Sequence, residues 1–201
     1  MPGETQNREA SRRGPVPRAS RDDVLSAALQ RFVDCERIDV QALAGDLGVG
    51  RATIYRWFGS REGLLGEVLV SAASYVIHVA RRDAKGRGGR RLLDTFDRIN
   101  RALASAPSLR HFVRDERATA LRMVASGGGP VQPEVVRQIR EIIDEEGATG
   151  RYHPPTDSET LAYAIVKLAE AFLFNDAIAD IRGDVERLRT IEAALLGVAA
   201  R

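Results

Sequence analysis

Apolar residues recur along this chain at the three-to-four-residue spacing of amphipathic helices. Val24, Ala28 and Phe32 follow one another in this way, and the Ser20 and Asp23 pair before them is typical of a helical capping box. No stretch alternates polar and apolar residues as a half-buried strand would, so an all-α fold is predicted. The same spacing predicts three further helices in the first half of the chain, over about 39–47, 51–58 and 60–79.

Glycine and proline divide the second half of the chain into further helical segments. The run KGRGGR predicts a loop, and Pro107 and Pro133 stand near predicted helix starts. Thr156 and Glu159 are spaced as a second capping box. The predicted helices lie near 90–105, 108–125, 133–146, 157–181 and 184–199.

The segment that begins at Val40 has the pattern of a helix-turn-helix. Its two short helices are joined by a tight turn at Gly48, and the small side chain of Ala44 permits their close approach. Ile54 and Phe58 are expected to pack inward, which leaves the outer face of the second helix at groove-reading positions. That face carries Arg51, Ala52, Thr53, Tyr55, Arg56 and Trp57.

Three regions follow from these patterns. Residues 1–19 are rich in Pro, Gly, Arg and Ser without periodicity, which predicts a disordered basic tail. Residues 20–66 are expected to form a three-helix helix-turn-helix domain. Residues 67–201 are expected to form a helical-bundle domain for ligand binding and dimerisation.

The helix-turn-helix segment resembles the TetR family of transcriptional regulators over about residues 21–66. The matching residues are Leu43, Ala44, Leu47, Gly48, Val49, Thr53, Ile54, Tyr55, Phe58, Ser60, Arg61, Glu62 and Leu64. The run YRWFGSREGLLGEV also resembles the subset of this family linked to quorum-signal and lactone degradation. Two features depart from the family pattern: the connection RFVDCERIDV is short and lacks glycine, and Trp57 stands where histidine is frequent.

The resemblance implies a homodimer that binds an inverted-repeat operator in double-stranded DNA, with its recognition helices in successive major grooves. It implies that the polar and aromatic side chains of the second helix face bases or phosphates. It also implies that Arg61 holds a phosphate at the start of the fourth helix, where backbone N–H groups favour anions.

The predicted helix 157–181 is apolar nearly all round, so it must be buried on two sides. Together with helix 184–199 it resembles the helix pair that forms a four-helix dimer interface in this family. The candidate interface residues are Leu161, Ile165, Leu168, Phe172, Leu188, Ile191 and Leu195. Lys167 and Glu170 are polar exceptions that form either an ion pair or a ligand-facing pair.

A pocket for an apolar or amphipathic small-molecule effector is expected among the helices of residues 70–125 and 157–175. Core packing explains each candidate residue equally well. The candidates are His78, Phe96, Ile99, Leu103, Phe112, Met123, Tyr163 and Phe174.

The charge distribution and the cysteine content limit the partners and the redox environment that are expected for the chain. The net charge is only +2, but basic residues concentrate in 1–21 and 81–91, where they either touch the DNA backbone or form a solvated linker. The single cysteine, Cys35, excludes an intramolecular disulfide and fits a reducing cytoplasm. No apolar run approaches the roughly 20 residues that span a bilayer, so no membrane association is expected.

Catalytic constellations are not visible in the sequence. No nucleophile–base pair, metal-ligand set or phosphate loop stands out, and His111 with Asp115 is better explained as a salt bridge on a helix. We therefore expect no enzyme activity and no cofactor. The sequence favours a ligand-responsive repressor; the alternative is a constitutive DNA-binding protein without an effector.

Overall fold

The computed structural model describes residues 19–120, 122–123, 129–175 and 184–199, and this part of the chain is helical without any strand, which confirms the all-α prediction. Most of the predicted basic tail, residues 1–18, lies outside the described residues. The helices are α1 (Arg21–Val33), α2 (Val40–Asp46), α3 (Arg51–Phe58), α4 (Arg61–Asp83), α5 (Gly89–Ser105), α6 (Pro107–Asp115), α7 (Arg117–Ala120), α8 (Val131–Ala148), α9 (Ser158–Glu170) and α10 (Val185–Leu195). A π-helical turn, Ala171–Asn175, continues α9.

The first three helices form a compact unit because each buries one apolar face. Helix α1 begins at the predicted capping box, in which the Ser20 backbone N–H donates to Asp23 Oδ2 (2.7 Å) and the Asp23 N–H donates to Ser20 Oγ (3.2 Å). Its buried residues Val24, Ala28 and Phe32 join a core that includes residues of α2, α3 and the start of α4.

Helix α4 connects this unit to the rest of the chain and crosses residue 66 without a break. Leu64 and Val68 belong to the core under α1–α3, whereas Ile77 and Ala80 belong to a second core formed with α5, α8, α9 and α10. One continuous helix therefore contributes to both cores. The division of the chain at residue 66 stays a prediction.

The length and composition of α4 bear on the expectation that no apolar run is long enough to span a bilayer. Its 23 residues have a mean hydropathy of 1.5 over the most apolar window, enough by length and composition to span a bilayer. A core helix of a soluble protein meets the same criterion, and Leu64, Leu65 and Val68 are buried inside this chain. The helix is weak evidence for a membrane span.

Two predicted helices differ from the structure near α6 and α8. The predicted helix 108–125 is interrupted at Glu116, whose backbone leaves the helical region (φ −124°, ψ 42°) between α6 and α7. Helix α8 begins at Val131, two residues before Pro133, because proline is tolerated in the first turn of a helix, where backbone N–H groups have no intrahelical partner.

The predicted capping box at Thr156 and Glu159 is wrong. Asp157 is the N-cap of α9 and accepts a hydrogen bond from the Thr160 N–H (2.8 Å). An aspartate one residue further along competes successfully, since Asp is among the best N-cap residues. The predicted helix 157–181 is therefore α9 followed by the π-helical turn, and residues 176–181 lie outside the described part.

The short loop between α4 and α5 is anchored, contrary to the expectation of a flexible linker. The Gly88 N–H and the Arg91 guanidinium both donate to the buried carboxylate of Glu146 on α8, each at 2.9 Å. The Lys85 N–H donates to Asp94 (2.8 Å). These bonds satisfy two N–H groups of the loop and hold α5 against α8.

Candidate DNA interface and effector cavity

The turn between α2 and α3 has the geometry that the sequence predicts. Gly48 adopts φ +63°, a conformation that favours glycine, and the Val49 N–H closes the turn on the Ala44 carbonyl (3.0 Å). Asp39 caps α2 by accepting from the N–H groups of Gln41 and Ala42, and these bonds lower the pKa of its carboxyl. Helix α3 is thereby set at a fixed angle to α2.

Helix α3 is fixed at its other end by the start of α4. A Cβ atom on Gly63 would lie 1.9 Å from the Phe58 carbonyl oxygen, so only glycine permits this approach. The Gly63 N–H donates to Ser60 Oγ (3.0 Å), which makes the predicted Ser60 cap of α4. Both ends of the short helix are held by backbone geometry.

The outer face of α3 matches the sequence prediction in exposure. Ile54 and Phe58 are buried, whereas Arg51, Ala52, Tyr55 and Arg56 are exposed and Thr53 and Trp57 are partly exposed. Tyr55 is 44% exposed, which is high for an aromatic residue. Among the described residues, the guanidinium groups of Arg51 and Arg56 have no hydrogen-bond or ion-pair partner. The face is therefore free to meet another molecule.

Arg61 differs from these residues because its guanidinium is already bound within the chain. It donates to the Ile38 carbonyl (2.8 Å) and to both carboxylate oxygens of Glu116 (2.8 and 2.5 Å). The ion pair raises the pKa of Arg61 and lowers that of Glu116. Arg61 thereby connects the helix-turn-helix to the α6–α7 junction. The phosphate contact predicted for Arg61 would require its ion pair with Glu116 to open.

A cavity of about 490 Å³ lies between the helix-turn-helix unit and the bundle. Residues of α1, including Leu29 and Phe32, line it together with residues of α4, α5, α8 and α9. Val33 and Tyr75 also line it and are 56% and 70% exposed, so they mark an opening to solvent. The volume is in the range of small-molecule sites in proteins.

Three of the eight candidate pocket residues line this cavity, and they all lie on α5: Phe96, Ile99 and Leu103. His78 and Tyr163 are exposed to solvent and do not line it.

The other three pocket candidates lie elsewhere. Phe112 and Met123 are buried in the first core, where the Phe112 ring stands edge-on to that of Phe32 with 6.2 Å between centroids. The side chain of Phe174 lies outside the described residues. The lining residues of α1 and α8 were not predicted, because no local pattern distinguishes a residue that faces a cavity from one that faces the core.

Two groups of hydrogen-bonded polar side chains contribute to the cavity wall. In the first, Gln132 donates to both carboxylate oxygens of Glu170 (2.6 and 2.8 Å), and Lys167 donates to the same carboxylate (2.9 Å). The predicted Lys167–Glu170 ion pair is thus present. In the second, Asn100 Nδ2 donates to Glu192 Oε1 (2.9 Å).

Glu192 is the unusual member of this wall. Its side chain is fully buried, and its Oε2 atom has no hydrogen-bond partner among the described residues. Burial raises the pKa of this carboxyl to about 7, against the opposing effect of the Asn100 hydrogen bond. The sequence contains no signal for this site, since Glu192 looks like one more polar residue of an amphipathic helix.

The candidate dimer residues separate into two groups by burial. Leu161, Ile165 and Leu188 are buried within the chain, and the first two belong to its own bundle core. A partner subunit would instead meet the remaining four, which are partly exposed: Leu168, Phe172, Ile191 and Leu195.

The structure also reports on the other polar clusters. His111 Nε2 lies 3.1 Å from Asp115 Oδ2, as expected for a salt bridge one helical turn apart. Within the described part of the chain, no group of three or more His, Cys, Asp or Glu side chains is placed to hold a metal ion.

Comparison with known proteins places the chain in a family. Residues 87–197, more than half of the chain, match the model of the tetracyclin repressor-like C-terminal domain. No curated protein sequence matches the chain at a significant level.

Solved structures show the same fold over nearly the whole chain. The transcriptional repressor QsdR of R. erythropolis, described as a TetR-family protein, is 28% identical, with a TM-score of 0.82 over 89% of this chain and 95% of that one. GusR of Salmonella enterica is 18% identical, with a TM-score of 0.53 over 91% of this chain and 97% of that one. FadR of Bacillus halodurans, a fatty acid degradation regulator, is 17% identical, with a TM-score of 0.51 over 92% and 96%.

The family match covers the bundle, and the helix-turn-helix in front of it presents an exposed recognition face. The chain belongs to the TetR family of DNA-binding transcriptional regulators.

Proposed function

We propose that the protein is a homodimeric repressor that binds an inverted-repeat operator through α3 and releases it when an apolar or amphipathic small molecule occupies the cavity. The DNA-binding half of this proposal rests on the exposed face of α3. The ligand-responsive half rests on where the cavity lies.

The face of α3 suits direct readout of the major groove. Arginine side chains with free guanidinium groups, such as Arg51 and Arg56, bind guanine bidentately, and Thr53 contacts thymine methyl groups. Tyr55 and Trp57 add aromatic surface next to them. Because Gly48 and Gly63 fix both ends of α3, little backbone conformational entropy is lost when the helix meets DNA.

The shared wall of the cavity is the observation that carries the ligand-responsive part. Leu29 and Phe32 belong to α1 of the helix-turn-helix, whereas Phe96 and Ile165 belong to the bundle, and all four line one cavity. An occupant therefore touches both units at once. It shifts the angle between them only if it binds one arrangement more tightly than the other, and a dimer with altered recognition-helix spacing no longer fits successive grooves.

The dimer would form through the outward face of α9 and α10. Leu168, Phe172, Ile191 and Leu195 leave apolar surface partly exposed there. A two-fold interface of this kind uses the same patch on both subunits. It would relate the two α3 helices by the same axis, which is why the operator is expected to be an inverted repeat.

The direction of regulation is inferred from similarity. The relative of R. erythropolis, at 28% identity, is described as a transcriptional repressor, and we propose the same role for this chain. Operator binding places the protein in the cytoplasm, with the nucleoid as its DNA-bound location.

The proposal is tested in two steps with the purified full-length protein. Duplexes selected from a random pool should converge on an inverted repeat. A small-molecule screen on the selected protein–operator complex should then find compounds that release the DNA.

Matched variants then locate the effect of any such compound. Ala73→Phe, which fills the cavity from α4, should bind operator normally and no longer respond to the compounds. His78→Phe adds the same ring on the exposed side of the same helix and should respond like the wild type. Operator binding without any responsive compound would favour a constitutive DNA-binding protein, and equal responses of both variants would place the effector elsewhere.

A further inference from the structure

The charged groups of the cavity wall are all of one sign. The described residues that line the cavity include two carboxyl side chains, Glu170 and Glu192, and among these residues there is no Lys, Arg or His. The remaining wall is largely apolar. An anionic ligand would meet like charge in a low-dielectric environment, where such repulsion is strong.

The two carboxyl groups are not equivalent. Glu170 is compensated, because Lys167 and Gln132 both donate to its oxygens at hydrogen-bond distance. Glu192 receives a hydrogen bond only from the neutral amide of Asn100, and only at Oε1. Oε2 has no partner among the described residues although the side chain is fully buried.

The neighbours of Glu192 do not compensate its charge. Asp97 on α5 opposes the ionisation of Glu192. Arg189, which lies on α10 as Glu192 does, favours this ionisation from a distance. The guanidinium of Arg189 lies 3.5 Å from Asp97 and is paired with that carboxylate rather than with Glu192. A buried carboxylate without a counter-ion is costly, and a donor that arrives from the cavity would remove part of that cost.

We infer that the cavity binds a cationic amphiphile, whose apolar body fills the space between α1 and the bundle and whose protonated amine donates a hydrogen bond to Glu192. This inference rests on the proposed function and specifies the ligand class of its effector site. The cavity volume of about 490 Å³ accommodates an alkyl chain or a fused ring system with one polar end. The pKa of about 7 for the Glu192 carboxyl is consistent with an acid that lacks a cationic partner when the cavity is empty.

Decyl probes with different polar ends separate this inference from general apolar binding. Decylamine carries a cationic donor, 1-decanol a neutral donor and acceptor, and decanoate an anion, all on the same chain. Binding of each to the full-length dimer is measured by isothermal titration calorimetry near pH 8, where the Glu192 carboxyl is largely ionised and the amine is still protonated. Decylamine should bind about tenfold or more tightly than 1-decanol, and decanoate should bind most weakly.

Glu192→Gln is the informative variant because it keeps the shape and the bond from Asn100 but removes the charge. Decylamine affinity should fall about tenfold or more, while 1-decanol affinity changes little. Decanoate affinity should rise, because the new amide donates a hydrogen bond and the negative charge is gone. Glu186→Gln, an exposed carboxyl on the same helix, should bind all three probes like the wild type.

A second measurement keeps the inference testable if Glu192→Gln fails to fold. In the wild type, decylamine affinity should rise between about pH 6 and pH 8 as Glu192 ionises, whereas 1-decanol affinity should stay flat. The inference is overturned if decanoate binds as tightly as decylamine, or if the decylamine affinity is independent of pH and of Glu192→Gln.

The outcomes also separate this inference from the proposed function. If 1-decanol binds and releases operator without any preference for the amine, the effector site stands and only the ligand class is wrong. If no probe binds, and Ala73→Phe matches the wild type with every compound that releases operator, the cavity is not the effector site and both proposals fail.

Discussion

The DNA-reading surface and the effector cavity are built in opposite ways. The surface uses the exposed and partly exposed residues of one short helix, from Arg51 to Trp57, which are neighbours in the sequence. The cavity collects side chains from Ser26 to Glu192 across seven α-helices. A substitution on α3 therefore changes one contact with DNA, whereas a substitution in the cavity wall also changes how the helix-turn-helix packs on the bundle.

Two carboxyl groups, one partly buried and one fully buried, show a further contrast in their electrostatics. Glu116, at the α6–α7 junction, is paired with Arg61 at the start of α4, and this pair lowers its pKa. Glu192, in the cavity wall, has no cationic partner among the residues that the structure describes, and burial raises its pKa to about 7. The first carboxyl stabilises the connection between the two units when ionised, and the second destabilises the bundle when ionised.

The largest expected effect comes from the surface that joins two copies of the chain. Leu168→Glu places a charge on the partly exposed apolar face of α9, so the dimer should dissociate and operator binding should be lost. Size-exclusion chromatography with light scattering and fluorescence anisotropy measure the two consequences. Thr160→Glu, at an exposed position on the same helix, should remain dimeric; a Leu168→Glu protein that still elutes as a dimer contradicts the assignment.

Glu192→Gln tests whether the buried carboxyl in the cavity wall destabilises the folded protein when it is ionised. Because the folded-state pKa is raised from its usual value of 4.5 to about 7, the contribution of Glu192 to stability should be fully present below about pH 4.5 and be lost as the pH rises through about 7. The shift corresponds to up to about 3 kcal/mol in the free energy of unfolding at pH 8. Urea denaturation should show that Glu192→Gln lacks this decline, and identical pH profiles for the two proteins would refute the assignment.

Arg51→Ala and Arg56→Ala test the role of the exposed face of α3 in operator binding. Each should weaken operator binding by about 1–3 kcal/mol without changing the unfolding midpoint, because each removes a base or phosphate contact and no contact within the chain. Anisotropy titrations measure the effect. Arg151→Ala removes an exposed arginine on the loop after α8 and should bind like the wild type. Unchanged affinity in both α3 variants would show that α3 is not the recognition helix.

The smallest expected effect concerns the ion pair that joins the two units. Glu116→Gln should lower the free energy of unfolding at neutral pH by about 1 kcal/mol, since a partly buried charge-assisted bond is weakened. The pKa of Glu116 is lowered, so its contribution is present above about pH 4.5 and disappears as the pH falls below that value. Wild type and variant should therefore converge in acid; a constant difference between them down to pH 3 would exclude the ion pair as the cause.

Local sequence patterns predicted the helix-turn-helix well for a physical reason. The capping box at Ser20, the turn at Gly48 and the inward positions of Ile54 and Phe58 are determined by residues within one or two helical turns. Hydrophobic periodicity and turn chemistry act over that range, so the outer face of α3 could be read directly from the chain. Its role in DNA binding remains a prediction until the variants are measured.

The cavity could not be predicted in the same way. Phe96 and Phe112 look alike in the sequence, yet one lines the cavity and the other packs in the first core against Phe32. The family resemblance implied a phosphate contact for Arg61, and only the fold brings Glu116 within hydrogen-bond distance of it. Glu192 likewise acquires its unusual environment from Asn100, 92 positions earlier in the chain.

The account depends most on a two-fold dimer whose α3 helices read successive major grooves, and spacer length in the selected operator tests this directly. Half-sites are expected at a centre-to-centre separation of roughly 34–36 Å, one helical turn, or a multiple of it. Inserting about five base pairs, roughly half a turn, moves one half-site to the opposite face of the duplex. The account predicts that this insertion removes most of the affinity measured by anisotropy; an operator that binds equally well with and without it would contradict the symmetric dimer.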